Sequence, residues 1–479
     1  MKPNAAMLSG AGSSGGVPST AGSQDVTARL GAAPADVLSL YMRLLPLEFF
    51  GQVRQQQQLR RQKNRVYTDA VIIWLMVSQR LCGGTMETAV LELLRSLPPE
   101  FWPQPCKRLR ARGQDWKAKL SSNTGSYNQA RQELPLTIVE HCGDRTFLQL
   151  MEQFGRPATG RRDAFFLDGS SMRMPNSPEL RAPYPPTGNQ KGESHWPLLR
   201  IIVAHDLYTG LAMRPQWGPM NGENAVSEQG LLEQAIDRLP TGSTVVGDAN
   251  FGVFSVAYAA TQRGRPLVLR LTAARARALA KEELRDGTDR RIRWEPSRHD
   301  RENHKELPAD ACVEGRLIVR QVQPRNGDAP FLLPLFTTLE DDADSVIALY
   351  GHRWNIETDL RSLKATLQLE YLSSTTPEMV AKEIDIGMLA YNLVRAVSCV
   401  AAQNAGLKPR QFSFTRVRNV INAFAPMIAA AKDKRQAQQL FDDMMYYVNQ
   451  AKLPRRSKKR PSYPRAVWHK PEKHPRRHT

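Results

Sequence analysis

Two aspartates in this chain close apolar runs that read as buried strands, and a glutamate lies in a helix crowded with polar side chains. Asp168 follows Phe165-Phe166-Leu167 and precedes Gly169 and Ser170. Asp248 follows Val245-Val246-Gly247 and opens Asp248-Ala249-Asn250-Phe251-Gly252, a strand-to-helix turn at the mouth of an α/β sheet, the edge where ligands settle. Carboxylates at rigid strand ends suit a hard divalent cation, which takes oxygen ligands from a few fixed points and completes its shell with water and phosphate. A strand-terminal aspartate is also an ordinary turn former, so neither residue means much alone.

The glutamate is Glu357, in Tyr350-Gly-His-Arg353-Trp-Asn-Ile-Glu357-Thr-Asp-Leu-Arg361-Ser-Leu-Lys364. On a continuous helix turning about 100° per residue, Tyr350, Arg353, Glu357 and Lys364 fall within a stripe roughly 60° wide. A solvated face with i,i+4 ion pairs, Arg353 with Glu357 and Glu357 with Arg361, would account for the charges. It would not account for Tyr350 and Trp354 beside them.

The elements that must position these groups can be read from periodicity. Residues 1–35 are rich in Gly, Ser and Ala and read as a disordered arm, because so few bulky apolar groups cannot offset the entropy of ordering. Residues 36–152 have helical spacing (Val37, Leu38, Tyr41, Leu44, Leu45; Val71, Ile72, Leu75, Met76; Ala89, Val90, Leu93, Leu94) and read as a helical N-terminal domain. Residues 153–271 read as the first part of an α/β core. Strands are expected at Ala164–Leu167, Leu198–Ala204 and Leu211–Met213, with a hairpin turn at 205–210, then a helix, a strand at 244–246, a second helix and a strand at 267–271. Residues 272–340 read as a β-rich insertion subdomain, 341–450 as a long helix from Ser345 followed by C-terminal helices, and 451–479 as a basic tail.

The formal charge of +19 favours a polyanionic partner. Nucleic acid is preferred over a membrane, because the longest uninterrupted apolar stretch, Ala70–Val77, is far short of a spanning helix. No secretory signal is read in residues 1–20, and the expected location is the cytoplasm. The tail from Lys452 carries eleven Lys or Arg against Glu472, more than half of the total charge. Basic stretches at Arg60, Arg61, Lys63 and Arg65, and at 107–119, read equally as phosphate contacts or as solvated faces. Cys82, Cys106, Cys142, Cys312 and Cys399 form no CxxC or Cys/His cluster, so neither a zinc site nor a disulfide framework is suggested.

The spacing Tyr350-x2-Arg353-x3-Glu357-x6-Lys364 resembles the signature of insertion-sequence transposases of the IS4 group. Asp168-Gly169-Ser170 resembles that family's first acidic motif and Asp248-Ala249-Asn250-Phe251 its second, although the family often has Arg or another polar residue where this chain has Ala249. Ser126–Arg131 is similar to an N-terminal helix of many members, and Leu335–Leu339 to the approach to the third motif.

The resemblance covers about residues 36–448. It implies a multidomain α/β fold: a ribonuclease H-like mixed sheet with flanking helices, a mostly β insert before the last catalytic helix, and a helical N-terminal domain. It implies catalysis by Asp168, Asp248 and Glu357 with two Mg²⁺ ions per active site, Mn²⁺ substituting, which would grip the attacking and leaving oxygens of an in-line displacement at phosphorus. Arg353, Lys364, Arg361, Tyr350 and Arg131 are the expected DNA contacts, and Trp294 would either stack on a base or cover a small core.

The implied partners are double-stranded DNA, as transposon ends with inverted repeats and as target, and a second copy of the chain in a homodimer on paired ends. No membrane partner is expected, and the place of action would be on DNA in the bacterial nucleoid. The implied reaction is cut-and-paste transposition: cleavage at the ends, then transfer of the 3′-OH into target. A DNA-binding protein that has lost cutting, and a ribonuclease H-like host nuclease, are the alternatives. Truncation after Leu453 is expected to weaken duplex binding and flatten its salt dependence. Gel-shift titrations across a salt series check this, and an unchanged slope would exclude the tail as a DNA contact.

Overall fold

The computed structural model describes residues 37–60, 66–96, 121–155, 163–189, 192–323 and 329–453. The arm 1–35, the stretch 107–119, most of the 60–65 stretch and nearly all of the basic tail lie outside the described residues.

The N-terminal helices are α1 (Val37–Leu44), α2 (Leu47–Gln56), α3 (Asp69–Cys82), α4 (Met86–Ser96), α5 (Gly125–Glu133) and α6 (Leu136–Leu150). Thr68 caps α3 by accepting from the Val71 N–H, and Gly83, at φ 69°, ends it in the left-handed region that glycine reaches at least cost. The strands follow as β1 (Ala164–Arg173), β2 (Leu198–Asp206) and β3 (Gln216–Pro219), then helix α7 (Glu228–Arg238), β4 (Thr244–Gly247), α8 (Phe254–Gln262) and β5 (Leu267–Arg270). After α9 (Ala273–Ala280) come β6 (Asp289–Trp294), α10 (Arg298–Asn303), β7 (Val313–Val322) and β8 (Phe331–Thr337). The chain ends in α11 (Ala343–Gly351), α12 (Trp354–Arg361), a π-helical turn (Ser362–Thr366), α13 (Pro377–Ala405), α14 (Phe414–Ala429) and α15 (Lys434–Gln450).

These eight strands join one mixed sheet in the order β3-β2-β1-β4-β5-β8-β7-β6, and Gly188–Asn189 and Gly192–Glu193 form a separate two-stranded ladder. The first three are antiparallel, β1, β4 and β5 run parallel, and β8, β7 and β6 add antiparallel neighbours. The segment 272–340 therefore does not stand apart from the sheet. Its β8 pairs with β5, covering an edge whose backbone groups would otherwise be unpaired.

Trp294, at the end of β6, is a core residue: 4% exposed and packed edge-on against Phe336 and Phe254, with centroids 4.9 and 6.1 Å away. Of the two readings of Trp294, core cover holds and its place among the DNA contacts is corrected, because its ring is taken up by protein aromatics. The expected strand at Leu211–Met213 is reduced to a single bridge, His205 with Ala212. The reason is tertiary: Asn392 of α13 takes both backbone groups of Ala212, its Oδ1 accepting from the N–H at 2.9 Å and its amide donating to the carbonyl at 2.7 Å.

Each face of the sheet carries its own core. Phe165, Leu167, Val245, Leu269, Leu317 and Phe336 belong to the larger cluster, which includes the N-terminal helices and α13. Phe166, Val246, Val268, Ile318 and Leu335 point the other way, as period-two alternation requires, and are covered by Val346, Tyr350 and Ile356 of α11 and α12. Helix α13 starts at the Thr376 cap and Pro377 and stops at Gly406, φ 61°. Its most apolar 18-residue window is 94% buried within the protein, so its length and hydropathy serve the core.

Asn392→Leu is expected to leave both backbone groups of Ala212 buried and unpaired, at a cost of roughly 2–4 kcal/mol. A fall in the urea midpoint checks this; an unchanged midpoint would contradict it.

Candidate active site

Strand register brings the two aspartates together. Phe166 on β1 is level with Val246 on β4, and Val246 with Val268 on β5. Two residues further on stand Asp168 and Arg270, on the face of Phe166 and Val268, and Asp248, just past the end of β4 and close enough to act on the charges of Asp168 and Tyr350. This is the face that α11 and α12 cover, and the row lies at the carboxyl edge of the parallel strands.

Local chemistry keeps each aspartate in place. One oxygen of Asp168 accepts from the Gly169 N–H at 2.8 Å. One oxygen of Asp248 accepts from the Asn250 N–H at 2.9 Å, closing a tight turn, while the N–H groups of Phe251 and Gly252 return to the Asp248 carbonyl at 3.1 and 3.0 Å. Gly252 is required here: a Cβ would lie 2.0 Å from the carbonyl oxygen of Arg270. At Gly169 a Cβ would meet Ile202 and the carboxylate of Glu228 at 3.1 Å, so glycine lets the first turn of α7 approach. Glu228 in turn accepts from the Asn250 side chain at 3.1 Å.

Asp168 is half-buried, and its carboxyl is raised from 3.8 to about 6. Burial is the main cause; the Gly169 N–H opposes it, the negative charge of Asp248 adds to it, Arg353 opposes it and Glu228 adds to it. Among the described residues neither Asp168 nor Asp248 forms an ion pair within 4.0 Å. A half-buried carboxyl whose charge is disfavoured by burial and by a neighbouring carboxylate is a fitting ligand for a hard divalent cation.

The helix bearing Glu357 is interrupted on both sides. Bonds of the i→i−3 kind, Arg353 N–H to Tyr350 at 2.9 Å and Ile356 N–H to Arg353 at 3.0 Å, tighten the chain between α11 and α12. The Leu367 N–H reaches back five residues to Ser362 at 3.0 Å, widening the turn that contains Lys364. The expected continuous stripe is thus broken, with Gly351 at the break, a residue that costs helix stability.

Tyr350 is buried, and its phenol is raised to about 12, first by burial, with Arg353 and Arg270 lowering it and Asp248 raising it. Its neutral hydroxyl therefore lies among the groups around Asp248. Arg353 pairs with Glu357 at 3.7 Å, and the Glu357 side chain is 49% exposed. The structure thus joins Asp168, Asp248, Tyr350 and Arg353, and reaches Glu357 through Arg353. Among the described residues no three His, Cys, Asp or Glu side chains are gathered closely enough to hold a metal ion. Arg361 is exposed and Lys364 half-buried, both beyond Glu357.

Arg131 lies elsewhere, its guanidinium 5.6 Å from the Tyr127 ring centroid, at a cavity of about 240 Å³ shared with Arg80, Gln368 and Tyr371. Sequence reading missed Glu228, Asn250 and Arg270. For Arg270 a signal existed: it ends the parallel strand next to the one that ends at Asp248.

Comparison with known proteins bears on this arrangement. The family described as "Transposase DDE domain" matches residues 159–393. The chain is also 27% identical over 358 residues to "Transposase InsG for insertion sequence element IS4" of Escherichia coli (strain K12), covering 72% of this chain and 77% of that protein.

The raised carboxyl of Asp168 makes stability depend on pH. Because its folded value, about 6, exceeds the ordinary 3.8, its contribution favours folding below about pH 4 and is lost as pH rises through 6. Asp168→Asn is expected to raise stability at pH 8 by roughly 1–3 kcal/mol and to have little effect at pH 4. Denaturant midpoints of the metal-free proteins at the two pH values check this, and equal shifts at both would contradict it.

Proposed function

Since the chain belongs to the DDE transposases related to IS4 and so performs metal-dependent DNA cleavage and strand transfer, we propose that Asp168, Asp248 and Glu357 are its catalytic carboxylates. The observation that carries this reading is the in-register pair Asp168 and Asp248 on one face, at the carboxyl edge of the parallel strands, beneath the helix that bears Glu357. The strand order β3-β2-β1-β4-β5, three antiparallel and then two parallel, supports a ribonuclease H-like core extended by β8, β7 and β6. The divisions proposed from the sequence follow the same reading, with 36–152 as the DNA-binding helical part.

Two Mg²⁺ ions would be held by Asp168 and Asp248, with Glu357 joining them once it leaves its ion pair with Arg353. When bound, such ions neutralise charge on phosphoryl oxygens and activate the attacking hydroxyl. The chain's own groups do the positioning. Arg353 reaches a phosphate near the scissile bond as a two-pronged donor, releasing Glu357 from their ion pair. Lys364 contributes a point charge. Tyr350, whose hydroxyl stays protonated at neutral pH, donates to a phosphate oxygen or to a water. Arg361 and Arg131 contact the backbone farther from the cut.

The reaction follows a cut-and-paste course, in which the same carboxylates serve end cleavage and the later attack of the 3′-OH on target DNA, within a homodimer on paired ends in the nucleoid. Purified protein incubated with Mg²⁺ and a labelled duplex carrying an end of the element tests the assignment, beside Asp168→Asn, Asp248→Asn and Glu357→Gln. Each variant is expected to lose nicking by at least about a hundredfold, as a loss of several kcal/mol of charge stabilisation demands, while duplex binding persists. Equal nicking by all four proteins would sink the assignment.

A further inference from the structure

Helix α12 is eight residues long and lies between a tightened turn and a π-helical turn, so neither end continues into regular helix that would hold its rotation. A helix this short is not stable on its own. Its direction must come from what its buried side touches. That side presents Ile356 and Asp359, each 1% exposed, and the apolar residue can slip where a directional bond cannot. Asp359 lies two residues after Glu357, hence roughly 200° around the axis, so whatever grips Asp359 aims Glu357 away from the grip.

The grip is specific. Oδ1 of Asp359 accepts from Arg395 of α13, and Oδ2 accepts from Arg410 at 2.5 Å. Both guanidiniums are fixed in turn. Arg395 donates through Nε to the Tyr391 hydroxyl at 2.9 Å and lies 5.3 Å from the ring centroids of Tyr391 and Phe414. Arg410 donates to the carbonyls of Leu207 and Asp206, both at 2.6 Å. Those carbonyls end β2, where Asp206 is level with Phe165 and the Leu207 N–H donates to Ala164. The chain of bonds that leaves Glu357's helix through Asp359 therefore ends on the strand that carries Asp168.

Burying three charges is a poor way to gain stability, since apolar residues of similar volume often do as well or better. What the triad supplies is a single allowed orientation. We propose that Asp359, clamped by Arg395 and Arg410, is the positioning residue that aims Glu357 towards the site of Asp168 and Asp248. This inference rests on the reading of Glu357 as a metal ligand.

The test is an Mn²⁺ titration of the full-length chain, followed by the electron paramagnetic resonance signal of free Mn²⁺, on wild type, Asp359→Asn, Glu357→Gln and the double variant. Binding to a mixed-sequence duplex in EDTA is measured beside it. Removing an outer partner of a metal ligand characteristically weakens metal binding by about tenfold or more. Asp359→Asn is expected to raise the Mn²⁺ midpoint by about that factor and leave duplex binding within about twofold of wild type, and to add nothing in the Glu357→Gln background, because both changes act through one ligand.

A wild-type midpoint in Asp359→Asn, with Glu357→Gln shifted, overturns the positioning role and leaves the site reading standing. Independent, additive losses also overturn it, by making Asp359 merely structural. An unshifted Glu357→Gln removes the site reading and this inference with it. Should Asp359→Asn fail to fold, Arg410→Lys, which keeps the charge and loses the fork, takes its place: a tenfold shift supports the proposal and a wild-type midpoint overturns it.

Discussion

The structure depends on the polar residues buried along one helix, α13. A 29-residue helix that is mostly inside the protein could pack in several rotations if its contacts were apolar alone. Instead, four of its buried polar groups are held by specific partners. Lys382 donates to the carbonyls of Arg131 and Gln132 at the end of α5, Glu383 pairs with Arg80 of α3, Asn392 takes up Ala212, and Arg395 holds Asp359. A buried charge or amide without its partner costs more than a lost apolar contact, so these bonds select a single rotation and height for α13. The N-terminal helices, the hairpin after β2 and the helix of Glu357 are then placed relative to one another.

The face of the sheet covered by α11 and α12 is built on a different economy. Along β1, β4 and β5, apolar residues are followed, at one level across three strands, by Asp168, Asp248 and Arg270. The apolar row packs under Tyr350 and Ile356; the polar row stands just past the last paired residues of β1 and β4, where β1 goes on beside β2 alone. The raised carboxyl of Asp168 records the cost of this placement, burial first and neighbouring charge after it. Carboxyls perturbed in this way cluster at functional sites.

Much of the fold was legible in the chain. Helical spacing in the N-terminal part, the strands at 164–173, 198–206, 244–247 and 267–270, and the helices between them follow from periodicity and turn residues. The likeness to IS4-group transposases could also be read early, because the Tyr-x2-Arg-x3-Glu-x6-Lys spacing is narrow, and the comparisons agree with it. The mixed α/β architecture agrees with the expectation, although the ribonuclease H-like layout remains a proposal. What failed did so for tertiary reasons. Leu211–Met213 has strand-like composition, but Asn392 from 180 residues away occupies its backbone. Trp294 has the chemistry of a stacking residue, but Phe254 and Phe336 enclose it. The single helix expected from Ser345 breaks at 352–353 and widens at 362–366.

By itself, then, the sequence determined which side chains are available for chemistry and on what kind of element each sits, because residue type and local periodicity act over a few residues. It also determined that Asp168 and Asp248 follow apolar runs; Asp248 does lie just past the end of its strand, but β1 continues through Asp168 to Arg173 because β2 pairs with it along that whole length. That the two stand level on neighbouring strands, with Arg270 completing the row, was decided by sheet register, which no local pattern carries. The i,i+4 pair of Arg353 and Glu357 was within reach of the sequence, but that Asp359 is held from behind by two arginines was decided by packing between segments far apart in the chain. The physical reason is the same in both cases: hydrogen-bond direction and burial cost act on neighbours in space, and those neighbours exist only once the chain has folded.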